Sequence, residues 1–214
     1  MMGDRDYRKT ITSAIDALAK DTATQVSNPS DDKTIFLHEI VRCMRRSYFD
    51  RFDRIEQENK SFVELFGGLV RKLPYGSKAG DFDIDEIKLR GQADMIVDDI
   101  VIIFKRIPKP PESPHASDVL YVNACMWIFN KTDGVIVYLT DDEKESSFVV
   151  MREKKMFEET IRRARVFSNL ISDKKVPILE PSQECSGCQY YYRCYIKKHE
   201  GKSFNLVELF NPKK

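Results

Sequence analysis

The chain has 214 residues, 42% of them hydrophobic and 32% charged, enough for one domain with a sizeable core. Thirty-five Lys and Arg against 34 Asp and Glu leave a net charge of +1, which excludes a global field toward nucleic acid or membrane, so such binding needs a local patch. No apolar run approaches the roughly 20 residues of a membrane span, and the opening MMGDRDYRKT lacks the apolar core of a signal peptide; a cytoplasmic location, where thiols stay reduced, is expected.

In chain order, residues 5–25 read as a helix, with Ile11, Ile15 and Leu18 at helical spacing. SNPSDD (27–32) is a loop. A second helix is predicted over 36–59, where Ile40, Cys43, Tyr48, Phe52 and Ile55 recur every three to five residues. SFVELFGGLVRKL (61–73) reads as a third, despite Gly67 and Gly68. The texture then changes to alternation. DFDIDEIKLRGQADMIV and DDIVIIFKRI, joined at Asp98-Asp99, predict one antiparallel hairpin. PKPPESP (108–114) is a rigid connection. SDVLYVNACMWIFN predicts an apolar helix with Ser117 or Asp118 as N-cap. GVIVYLT and SSFVVMR predict strands, and KKMFEETIRRARVFSNLIS a long amphipathic helix. The order implies an α/β (α+β) core, a mixed sheet flanked by helices. It divides into an N-terminal helical region (1–73), a core (74–172) and a cysteine-rich cap (173–214).

Cys185, Cys188 and Cys194 form C-x2-C-x5-C in a polar, turn-rich tail. Thiols so spaced can converge on one metal centre. Three readings stay open on composition: a structural zinc site, an iron–sulfur cluster, or core cysteines. Cys43, Cys125 and the three histidines are candidates for a fourth ligand. Cys125, among Val122, Met126 and Trp127, reads as a small hydrophobe.

HEIVRCMRRSYFDR, GQADMIVDDIVIIFK, DVLYVNACMWIF and CSGCQYYYRC together closely resemble the CRISPR-associated RecB-like nuclease family of the PD-(D/E)XK superfamily, over roughly residues 35–195. The resemblance implies a restriction-endonuclease-like core. It implies a [4Fe-4S] cluster on Cys43, Cys185, Cys188 and Cys194, joining the N-terminal helical region to the C-terminal tail. It implies action on DNA ends or single strands, as an exonuclease or in trimming new spacers beside CRISPR adaptation proteins, with Mg²⁺ or Mn²⁺ at the active centre.

At the family's catalytic positions the chain departs. Asp94, after Gly91, matches the first acid, and Lys105 matches the lysine of Glu-x-Lys. Ile103 stands at the glutamate position. Tyr121 and Cys125 stand where Gln-x-x-x-Tyr is expected, and Val70 or Arg71 where a histidine is expected; His38 does not match it. Val101, Ile103 and Lys105 share one strand face, so that face offers isoleucine where a metal oxygen belongs. The implied protein binds DNA with a degenerate centre. The alternative is an active exonuclease with a relocated acid, Glu64 first, then Asp83 or Asp85. A zinc-stapled interaction module is the third reading. Arg42, Arg45 and Arg46 are the candidate DNA contacts. Arg162 and Arg163 are expected to pair with Glu158 and Glu159 along their helix. Tyr190, Tyr191 and Tyr192 are expected to wrap the cluster.

Overall fold

Alternating apolar residues and turn-forming aspartates set the sheets of the computed structural model, which describes residues 31–55, 78–140 and 145–195. The expected helices at 5–25 and 61–73, with Glu64, Val70 and Arg71, lie outside the described residues. The chain divides into two units, Met1–Pro177 and Ile178–Lys214.

In the first unit, β1 (Thr34–Phe36) runs parallel to β3 (Ile87–Ala93), which pairs antiparallel with β2 (Lys78–Ile84). A second sheet has the order β4 (Met95–Val97), β5 (Ile100–Arg106), β6 (Asp133–Leu139), β7 (Glu145–Met151). Here β5 and β6 are parallel and the outer pairs antiparallel. The sequence predicts one hairpin between residues 81 and 107; the structure has two. The alternation is cut at Asp94, and each half pairs in a different sheet. Asp85 and Asp98, with φ of 55° and 50°, make the two turns, a conformation aspartate tolerates through local hydrogen bonds.

The apolar helix forms as expected: α3, Ala116–Ile128. It packs against both sheets and against the long helix α4, Lys154–Ser172. A helix apolar all round belongs inside, and Val122, Ala124, Cys125 and Met126 are fully buried. Its approach to the first sheet needs Gly80 and Gly91, which face each other across β2 and β3. A Cβ on Gly91 would stand 2.6 Å from Ile128 Cδ1, and one on Gly80 2.6 Å from Phe129. Gly91→Ala is therefore expected to cost about 1–3 kcal/mol by overpacking. Urea denaturation checks it, and an unchanged midpoint would mean the helix is free to shift.

The helix expected over 36–59 is instead two, α1 (Leu37–Val41) and α2 (Met44–Phe52), broken at Arg42-Cys43. The cause is tertiary. Arg163 of α4 donates to the carbonyls of Ile40 and Arg42, satisfying the orphan acceptors at the end of α1. Ser47 Oγ donates to Glu39 O at 2.8 Å. Arg163 thus does not take the expected Glu159 pairing. Glu159 pairs with Arg162 (2.6 Å) and Glu158 with Lys154 (3.6 Å).

Beneath α1 and α2 lies a buried ion pair. Arg51 meets Glu39 through two hydrogen bonds of 2.6 and 2.7 Å. Arg51 also donates to the carbonyls of Asp31 and Thr34, and Glu39 accepts the Phe36 N–H. Every strong polar group of the pair is met, the condition under which a buried charge is tolerated. No helix among the described residues is long and apolar enough to cross a membrane.

Candidate functional site

The face of β5 that carries Val101, Ile103 and Lys105 turns inward toward α3, as its period requires. Val101 and Ile103 are buried, Ile103 to 3% exposure. Lys105 comes next on that face at the strand's end, and its side chain keeps 36% exposure. Its ammonium lies 3.1 Å from Asp118 Oδ1 and 5.2 Å from the centre of the Tyr121 ring, within cation–π range. The strand thus ends in a lysine because a carboxylate waits on the neighbouring helix.

That carboxylate escapes a reading of the sequence as a cap. The N-cap of α3 is His115, in extended conformation, and Asp118 sits inside the first turn. There it favours the positive helix end and turns onto the sheet. Tyr138 Oη donates to Asp118 Oδ2 at 2.9 Å and accepts the His115 N–H at 3.0 Å. Tyr138 pairs with Lys105 in the parallel register, which places both under the start of α3. Burial pushes the Tyr138 phenol up to about 12, so it stays a neutral donor. The only signal for Asp118 in the sequence is its place one turn before Tyr121.

Asp94 occupies the break between β3 and β4. Its Oδ2 accepts the Phe104 N–H at 2.9 Å, which ties the break to β5 beside Lys105. Tyr121 Oη donates to the Gln92 carbonyl at 2.8 Å, and Cys125 Sγ approaches the same carbonyl at 3.8 Å. One turn apart on α3, these two side chains grip the strand just before Asp94. Burial drives the Cys125 thiol well above its ordinary range, with the Asp94 charge adding to it, so it is a neutral thiol. The structure therefore gathers Asp94, Lys105, Tyr121 and Cys125 around one strand junction, with Ile103 on the same face. Asp83 stands exposed on β2. Asp85 pairs with Arg165 at 2.8 Å.

Of the three candidate arginines, Arg42 and Arg45 have protein acceptors, and Arg46 has a longer ion pair. Arg42 meets Asp50 at 2.7 Å and Ser47 at 2.9 Å. Arg46 lies 4.0 Å from the same Asp50. Arg45 donates to the Pro177 carbonyl at 3.0 Å and lies over the Phe49 ring. Cys43 is the N-cap residue of α2, half-buried.

In the second unit, Cys185 lies in a 3-10 helix (Gln183–Gly187), Cys188 caps its end, and Cys194 lies in a short α5 (Tyr191–Tyr195). All are free and half-buried. Among the described residues no three Cys, His, Asp or Glu side chains are already closed into a metal-ligand set. The donor chemistry nevertheless suits a thiolate centre. Cys185 Sγ accepts the Ser182 N–H at 3.4 Å, and Ser182 Oγ lies 3.7 Å away. The Ser182 amide, with a hydrogen bond from Tyr195, holds this thiol below its ordinary range. Tyr190 is buried, while Tyr191 and Tyr192 are exposed and meet edge-to-face.

No protein-family model matches the chain, and no curated protein matches it. Among solved structures, the crystal structure of a protein designated SSO0001 shares the fold, with a TM-score of 0.61 at 18% identity, covering 89% of this chain and 98% of that one. An alkaline exonuclease from Laribacter hongkongensis, LHK-Exo, aligns at a TM-score of 0.46 and 13% identity, over 73% of this chain and 93% of its own. At 18% identity the first likeness is one of fold alone.

Proposed function

We infer that this chain is a DNA-binding protein with a RecB-like nuclease fold and a hydrolytic centre reduced to Asp94 and Lys105. One observation carries the reading: Ile103, which stands at the glutamate position that the resemblance implies, is packed into the core. Phosphodiester hydrolysis by this class of centre needs carboxylate oxygens converging on a divalent cation. Lys105 is instead engaged with Asp118. Asp94 would be the first ligand of any Mg²⁺ or Mn²⁺ that bound here. Cys43, Cys185, Cys188 and Cys194 hold a [4Fe-4S] cluster in this reading, which when bound staples the helical region to the tail. The C-x2-C-x5-C spacing of the tail cysteines and the amide donor on Cys185 support that role. The partners are single-stranded DNA or DNA ends, and proteins of CRISPR adaptation, with Arg42, Arg45 and Arg46 as phosphate contacts once DNA displaces the Asp50 carboxylate and the Pro177 carbonyl that hold them.

Fluorescence anisotropy with labelled single-stranded and duplex oligonucleotides tests the binding. The expected result is an affinity that falls steeply and log-linearly with salt. No binding at low salt would overturn the reading.

A second reading is favoured by Asp118. Its carboxylate, beside Lys105, is a relocated acid on α3, in place of the Glu64 expected from sequence. This reading predicts metal-dependent degradation of DNA ends that Asp118→Asn abolishes while the fold is kept. Cleavage that survives Asp118→Asn would remove it.

A further inference from the structure

Tyr190, Tyr191 and Tyr192 are consecutive in the sequence, and the fold separates their roles. Tyr190 is fully buried and anchors α5, where its carbonyl accepts the Cys194 N–H at 3.1 Å. Tyr191, Tyr192 and Tyr195 stand outside at 39%, 71% and 42% exposure. Tyr191 and Tyr195 are one helical turn apart. Their rings stack, with centres 4.7 Å apart and planes at 30°. Tyr192 meets Tyr191 edge-on at 5.9 Å. Among the described residues of the second unit, Ile178 is the one other large apolar side chain left exposed. Three clustered rings in solvent are not core residues, and a patch of this kind marks a binding surface.

The charge on and after α5 is positive. Arg193 is exposed on the same helix, with its guanidinium 5.7 Å from the centre of the Tyr190 ring. The sequence that follows, IKKHEGK, has three lysines against one glutamate. Aromatic faces beside cations suit an unpaired nucleic-acid strand: bases stack on the rings, and the phosphates meet the positive charge. A duplex keeps its bases stacked on one another and cannot use the rings. We propose that Tyr191, Tyr192 and Tyr195 form a stacking platform for unpaired bases, which makes single-stranded DNA the ligand of the second unit. This deepens the DNA-binding reading above and rests on it. Every base has a face to stack, so the platform carries no sequence preference.

The test uses the full chain as wild type, Tyr192→Ala and Tyr192→Phe. Anisotropy is measured with labelled oligothymidylate and with a strand of equal length in which abasic sites replace the bases. The expected result is a wild type that binds oligothymidylate about tenfold tighter than the abasic strand. Tyr192→Ala loses most of that preference with an unchanged salt dependence, and Tyr192→Phe keeps it, because the ring and not the hydroxyl stacks. Equal binding of the two strands by wild type overturns the platform and leaves the DNA-binding reading standing. No binding of either strand overturns both. A Tyr192→Ala variant that keeps the preference, or that weakens on both strands alike, overturns the stacking role. Light scattering that shows a wild-type dimer and a Tyr192→Ala monomer assigns the rings to a second copy of the chain and also overturns it.

Discussion

Arg51→Ala is expected to lower the stability of the first unit by about 3–5 kcal/mol, the usual cost of removing one partner of a buried ion pair. Arg51 meets Glu39 in a two-bond pairing of 2.6 and 2.7 Å, with both side chains at essentially zero exposure. Its loss leaves the Glu39 carboxylate buried and two backbone carbonyls, of Asp31 and Thr34, without their guanidinium. The Arg51 guanidinium also lies over the Phe167 ring of α4, so one residue ties β1, α1, α2 and α4 together. Against a total stability of about 5–15 kcal/mol for an ordinary domain, the loss brings the chain near unfolding at room temperature. Urea denaturation followed by circular dichroism measures it. Arg51→Lys is expected to recover little, because an ammonium cannot reproduce the fork that meets both Glu39 oxygens. A variant as stable as wild type would show that the pair is replaceable by packing alone.

The second large effect concerns Ile103. Ile103→Glu places a carboxylate in a site now 3% exposed and is expected to cost roughly 2–4 kcal/mol in the absence of metal. The variant is more informative with metal present. If Ile103 stands where the second acid of a metal centre belongs, the new carboxylate faces the Asp94 junction beside Lys105. Binding of Mn²⁺ to the folded state then restores stability by mass action, by about 2.7 kcal/mol at a hundredfold excess over Kd. Thermal unfolding with and without Mn²⁺ is expected to show a metal-dependent rise in the variant and none in wild type. Equal responses in the two proteins would mean that Ile103 does not occupy a ligand's place.

Much of this site is legible in the sequence because it follows periods of two and of 3.6. The alternation of Val101, Ile103 and Lys105 fixes which residues share the inner face of β5. The all-apolar run around Cys125 announces a buried helix, and Asp98-Asp99 announces a turn. What the sequence hides is set by contacts distant along the chain. Lys105 finds its carboxylate only because the parallel pairing of β5 with β6 sets Tyr138 beside it, beneath the first turn of α3. Read locally, Asp118 looks like a cap. The helix predicted over 36–59 breaks because Arg163, more than 120 residues away, takes the carbonyls at the end of α1. Its periodicity runs on through the break, so apolar spacing could not mark it. Likewise the strand through Gln92 and Met95 keeps its apolar alternation across Asp94, although the two halves pair in different sheets. The buried Glu39–Arg51 pair left no sequence signal, since both residues lie in a run that reads as an ordinary charged helix.

We propose that this fold holds DNA while its centre no longer cuts it. The most direct test is anaerobically purified full-length protein, with its iron content measured, incubated with end-labelled single-stranded and duplex DNA in Mg²⁺ and separately in Mn²⁺. DNA that is bound and remains full length is the predicted result. Metal-dependent shortening that Asp94→Ala abolishes would contradict the claim and identify an active nuclease.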